Sequence, residues 1–124
     1  LMSIFDAIKS CEMTNAHGEV NFLRIIDGKP ELVGFVTVGA EKGIFVVGHS
    51  ESGHDHILEA DGVTMMERIS DGMKILYAIV EKPVVLKQKA GSPHKDQVVQ
   101  PGNYIITNNQ EYDPFLEQAR RVAD

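Results

Sequence analysis

Apolar and polar residues alternate along most of this chain with a period of two, the pattern of strands that bury one face. Residues 20–26 place Val20, Phe22, Arg24 and Ile26 on one side. Further runs fall at residues 32–38, 44–47, 54–60, 63–69, 73–80, 84–88, 97–100 and 104–107. Turn formers separate several of them: Asp27-Gly28-Lys29-Pro30, Asp61-Gly62, Ser70-Asp71-Gly72 and Pro101-Gly102. Glycine supplies positive φ and proline limits extension, and Asp-Gly between two apolar runs is a hairpin signal. The period changes at the two ends. Ile4, Ile8 and Cys11 are spaced i, i+4, i+7, and Ser3 with Asp6 three residues later makes a capping-box-like start. A helix over residues 3–12 is therefore expected, followed by a break at 14–18. Asp113 before Pro114 starts a last helix over 114–123.

Short strands at near-regular spacing point to one mainly β domain. The expected fold is a compact antiparallel β-barrel or sandwich, cupin-like or a small barrel, over residues 18–108, with short N- and C-terminal helices. No internal repeat or linker divides the 124 residues.

Composition sharpens this picture. The chain is 43% apolar but only 6% aromatic, with no Trp, so the core must rest on Val, Ile, Leu and Met. The net charge is −6, with 18 acidic against 12 basic residues. Lys82, Lys87, Lys89 and Lys95 are spread over a strand and a loop and read as a solvated edge, so no nucleic acid is expected as a partner. No run approaches the roughly 18 apolar residues of a membrane span, so no membrane partner is expected either. The one cysteine, Cys11, excludes an intrachain disulfide and reads as a small apolar residue of the first helix. Met2 reads as the natural start, and no charged opening leads into an apolar stretch. The expected location is the cytoplasm of a bacterium or of a phage-infected cell.

Candidate chemistry concentrates in Gly48-His49-Ser50-Glu51-Ser52-Gly53-His54-Asp55-His56-Ile57-Leu58-Glu59. In a strand, His54 and His56 would present two imidazoles to one side. Glu59 follows three residues on, and His94 is a further ligand candidate. Imidazole and carboxylate suit a divalent metal such as zinc, iron, nickel or manganese. The alternative is a solvated turn whose Glu51 and Asp55 form loose ion pairs. No phosphate-cradling glycine loop and no nucleophile elbow occurs.

This spacing resembles the first half of a cupin site, with two histidines one residue apart and a glutamate beyond them. It departs from the pattern in the short step from His56 to Glu59, and no histidine follows Pro101-Gly102. The run from Gly48 to His56 also resembles the G-H-S-E-T-G-H-x-H stretch of small phage and bacterial proteins of uncharacterised function. His17-Gly18-Glu19-Val20, Pro93-His94-Lys95, Pro101-Gly102-Asn103-Tyr104, Gln110-Glu111-Tyr112-Asp113-Pro114 and Arg120-Arg121-Val122-Ala123-Asp124 carry the same likeness. The likeness implies an accessory protein and ties His49, His54, His56 and His94 together. It fits Tyr104, Glu111, Tyr112 and Arg121 belonging to one site or interface, while Glu111 and Arg121 are equally explained as a pair holding the last helix.

Two functions follow as expectations. In one, His54, His56, His94 and Glu59 hold a metal, or His49, Glu51, Tyr104, Glu111, Tyr112 and Arg121 contact a small polar ligand. Any general base would be His49, His54 or Glu59. In the other, the protein is an interaction or assembly module, with a protein partner or a second copy meeting the histidine loop. An exposed apolar face on residues 4–11 would favour the second.

Overall fold

A computed structural model describes residues 1–49, 54–88 and 95–108. The chain is mainly β and forms two antiparallel sheets that pack as a sandwich and do not close into a barrel. A helix α1 (Ile4–Ala7) and a 3₁₀ turn (Ile8–Ser10) precede ten strands. These are β1 (Cys11–His17), β2 (Val20–Ile25), β3 (Val36–Val38), β4 (Ile44–Gly48), β5 (His56–Glu59), β6 (Val63–Ser70), β7 (Met73–Val80), β8 (Val84–Gln88), β9 (Gln97–Val99) and β10 (Gly102–Asn108). One sheet runs β1-β2-β10-β7-β6-β3 and the other β4-β5-β8-β9.

The core lies in two layers because the larger sheet is covered on both faces. Between the sheets, Phe22, Leu58, Met65, Leu76, Leu86 and Ile106 pack together. On the far face of the larger sheet, Leu23, Ile75, Tyr77 and Ile105 meet Ile4, Phe5, Ala7 and Ile8 from the N-terminal segment. The alternation along β2 and β10 therefore separates two kinds of core, with Phe22 and Ile106 facing one and Leu23 and Ile105 the other. T-shaped ring pairs sit in both, Phe22 with Tyr104 at 5.8 Å and Phe35 with Tyr77 at 6.2 Å.

The N-terminal segment departs from expectation. Ser3 does cap it, its Oγ accepting from the Asp6 N–H at 3.0 Å. Helical backbone ends at Ser10, however, and Cys11 is extended and paired with Ile25. The residues expected to end the helix and to break the chain are instead the edge strand β1, whose mixed sequence carries no period. The apolar face of residues 4–11 is not exposed, since Ile4 is 1% and Ile8 7% accessible. Burial also pushes the Cys11 thiol up from 9.0 to about 11.

Of the expected turns, one forms its hairpin and two join different sheets. Asp71-Gly72 closes the β6–β7 hairpin with positive φ at both residues (50° and 78°), the backbone that matches strand twist. Asp61-Gly62 does not make a hairpin, because β5 and β6 belong to different sheets. Its turn is held by the Val63 N–H donating to Ala60 O at 3.0 Å and the Glu81 N–H donating to Gly62 O at 2.8 Å. Pro101-Gly102 likewise carries the chain from β9 in one sheet to β10 in the other. The expected strand at 32–38 is reduced to Val36–Val38. The stretch 114–123, where a last helix was expected, lies outside the described residues. Among those described, no helix is long and apolar enough to cross a membrane.

Two measurements follow. Ile4→Ala should cost about 2–5 kcal/mol in urea unfolding, because it opens a cavity under the sheet. Burial also raises Tyr77 and, against the opposing pull of Arg24 and of hydrogen bonds from Thr14 and Arg24, Tyr104. Groups held neutral in this way stabilise the fold fully below their unfolded values, and that contribution is lost as pH rises through the folded ones. For Cys11 this places the loss between 9.0 and about 11. The urea midpoint should stay level to pH 9 and then fall, less steeply in Cys11→Ala.

Candidate functional site

Strand alternation gathers polar side chains at one end of the inter-sheet core. His17 ends β1 and pairs with Val20, which pairs in turn with Asn108 at the end of β10. His56 begins β5 and pairs with Gln88 at the end of β8. By the same alternation His56 shares a face with Leu58, Gln88 with Leu86 and Asn108 with Ile106. The apolar core therefore ends in a cap of imidazole and amide groups.

The cap is built on a contact between the two sheets. His17 Nδ1 lies 2.8 Å from His56 Nδ1, with the rings edge-on at 87° and their centroids 5.0 Å apart. Both residues are buried, at 1% and 3% accessibility. His17 Nε2 lies 2.9 Å from the Lys95 carbonyl. A carbonyl only accepts, so His17 carries hydrogen on Nε2 and, when neutral, presents a lone pair at Nδ1. His56 then donates from its own Nδ1. This tautomer assignment follows from the network.

The backbone around the pair is shaped for close approach. A Cβ on Gly48 would collide with Val20 Cγ2 and would sit 3.6 Å from His56 Cδ2. Val20 is 1% accessible and has no room to withdraw. Only glycine lets β4 pass here, at the irregular Gly48–His56 pairing. Gln88 Nε2 donates to the His54 carbonyl at 2.9 Å and so holds the approach to β5.

The candidates named from sequence fall in several places. His56 is in the cap, and His54, half-buried, leads into it. His49 is exposed and pairs with Asp55, Nδ1 to Oδ1 at 3.1 Å. Glu59 is at the other end of β5, about 10 Å along the strand from His56. There it is exposed and its Oε1 accepts from the Val85 N–H at 2.7 Å. Tyr104 is buried in the core, its hydroxyl donating to Gln100 O at 2.6 Å, four residues along β10 from Asn108. Glu51, His94, Glu111, Tyr112 and Arg121 lie outside the described residues. Among the described residues, no three His, Cys, Asp or Glu side chains come together as a metal-holding group.

Sequence reading passed over His17 as a site residue, because it belongs to the strand that carried no period. A signal was present in the two-residue step Gly18-Glu19 before Val20. A hairpin there places His17 opposite Val20 and on its face, which points it at the core end.

No curated protein and no solved structure matches the chain. Residues 16–109 match the family described as a domain of unknown function, DUF8820, and the chain belongs to that family. The matched span takes in all five histidines, His17, His49, His54, His56 and His94, and leaves out α1.

His17→Ala should lower stability by about 1–3 kcal/mol, because it strips a partner from the buried His56 Nδ1 and from the Lys95 carbonyl. In a double-mutant cycle with His56→Ala, the two losses should fall well short of additive.

Proposed function

We propose that this member of the family is an accessory protein of a phage or bacterial cell that binds a divalent transition metal at the histidine cap. The observation that carries the reading is the convergence of the His17 and His56 Nδ1 atoms across the two sheets. A ligating histidine characteristically gives its other ring N–H to a carbonyl, as His17 does to Lys95. Metal–nitrogen bonds of about 2.0–2.1 Å set tetrahedral neighbours roughly 3.3 Å apart, so a small separation of the two rings would admit the ion. His56 would then carry its hydrogen on Nε2. Along the sequence, His54 lies two residues before His56, and His94 precedes Lys95, whose carbonyl meets His17. Glu59 is left out of the set, since it lies at the far end of β5.

A second reading has its own observation. Val33, Val36 and Ile69 are 73%, 61% and 65% accessible around β3, an edge strand among the described residues, which would suit an interaction module. Size-exclusion mass separates this reading, since self-association through that edge would give a mass above the monomer's 13.7 kDa.

Elemental analysis of untagged protein tests the metal site. Near-stoichiometric zinc, iron, nickel or manganese is expected, lost in His17→Ala/His56→Ala, reduced in His94→Ala and kept in His49→Ala. Metal-free protein that takes up none of these ions on dialysis would refute the site and reduce the pair to a contact between sheets.

A further inference from the structure

The outer face of the smaller sheet carries charges at the end of β5 opposite the histidine cap. Alternation turns Phe45, Leu58 and Leu86 into the inter-sheet core, so Ile44, Glu59 and Lys87 stand on the other face. Ile44 pairs with Glu59, and Lys87 pairs with Ile57, two residues before Glu59. Glu59 and Lys87 are therefore diagonal neighbours across β5 and β8, about 7–8 Å apart at the backbone. The Asp61-Gly62 turn and the Lys82-Pro83 step into β8 lie beside them. Glu59, Asp61, Lys82 and Lys87 line one cavity of about 400 Å³, with Ile44 and Pro83 as its apolar wall. That volume is within the roughly 300–1,000 Å³ of ordinary small-molecule sites.

The four charges are held in different ways. Lys82 pairs with Asp61, and its stem lies over Gly62, where a Cβ would come within 2.8 Å of Lys82 Cγ. This exposed couple satisfies itself. Glu59 is fixed by the backbone of the next strand, its Oε1 accepting from the Val85 N–H at 2.7 Å. Its Oε2 has no partner among the described residues. Lys87 is half-buried, and its ammonium makes no hydrogen bond or ion pair among the described residues. A carboxylate oxygen and an ammonium thus line the same cavity without meeting each other. The lining holds two negative and two positive charges, so a ligand with a net charge of either sign meets a like charge there. A ligand carrying both charges answers Glu59 and Lys87 together.

We infer that this cavity binds a small zwitterion with a primary ammonium, an α-amino acid being the simplest. The ligand's ammonium donates to Glu59 Oε2, its carboxylate accepts from Lys87 Nζ, and its aliphatic side chain lies against Ile44 and Pro83. No residue lining the cavity belongs to the histidine cap, so the site does not depend on a metal there. Selectivity lies in the two charges. An acid without the amine leaves Glu59 unanswered, and an amine without the acid leaves Lys87 unanswered.

NMR titration of the isotope-labelled protein with L-leucine tests the site against isocaproate, which lacks the amine, and isoamylamine, which lacks the carboxylate. Saturable shifts centred on the amides of Glu59, Val85 and Lys87 are expected with leucine, which should bind at least tenfold tighter than either analogue. Lys87→Gln should bring leucine down to the level of isoamylamine. Glu59→Gln, whose amide oxygen can still accept from the Val85 N–H, should bring it down to the level of isocaproate. Amide shifts away from the cavity that match the parent's are the check on folding in both variants. Absence of saturation, saturable shifts centred elsewhere, an analogue binding as tightly as leucine, or either substitution in a folded protein without effect would each overturn the proposal.

Discussion

Everything in this structure follows from one requirement, that a sheet apolar on both faces must be covered on both. In β2 and β10, neighbouring residues such as Phe22 and Leu23, or Ile105 and Ile106, are all withdrawn from water. One sheet of four strands cannot satisfy both sides. The second face is closed by a helix of a single turn and the 3₁₀ turn that follows it, whose Ile4, Phe5 and Ile8 complete the layer. The N-terminal segment is thus a wall of the domain, although the matched family span begins beyond it. Arg68 joins this wall from the side, its guanidinium 5.8 Å from the Phe5 ring centre.

The strands that sequence reveals best are those with an unmixed pattern and a specific turn. β7 and β8 coincide with the runs at 73–80 and 84–88, and β6 extends its run by one residue. Asp71-Gly72 fixes the register of the β6–β7 hairpin. What local pattern cannot encode is which sheet a strand joins. Asp61-Gly62 has the same chemistry as a hairpin turn, yet it lets the chain cross from one sheet to the other. The difference lies in long-range partners, the Glu81 N–H on Gly62 O and Lys82 on Asp61, which no window around the turn contains. β1 escapes for another reason. Glu12, Met13, Thr14 and Ala16 are exposed on an edge, so nothing selects an alternation there.

The candidate site shows the same division. The histidine-rich run led to His56, because two imidazoles at i and i+2 are visible in a line of text. Its partner lies 39 residues earlier, and only the pairing of β1 with β2 brings it round. Glu59 looked close to His56 because three residues are a short distance in sequence. Along a strand the same three residues reach the other end of β5, where the carboxylate accepts from the Val85 N–H of β8. Tyr104 carries a motif-like neighbourhood, but its ring and hydroxyl are both consumed within the core.

The position of β10 in the larger sheet has a consequence for how the chain comes to be folded during synthesis. It is the last strand to leave the ribosome among those described, yet it lies between β2 and β7, near the middle of the sheet. Until it arrives, β2 and β7 each present an unpaired row of backbone donors and acceptors flanked by buried-type side chains. A nascent chain that stops short of residue 102 holds two half-sheets with no common strand. Completion is therefore a late, non-local step of the slow kind that many β proteins share. The interval before it is when this protein is most exposed to pairing with the wrong neighbour.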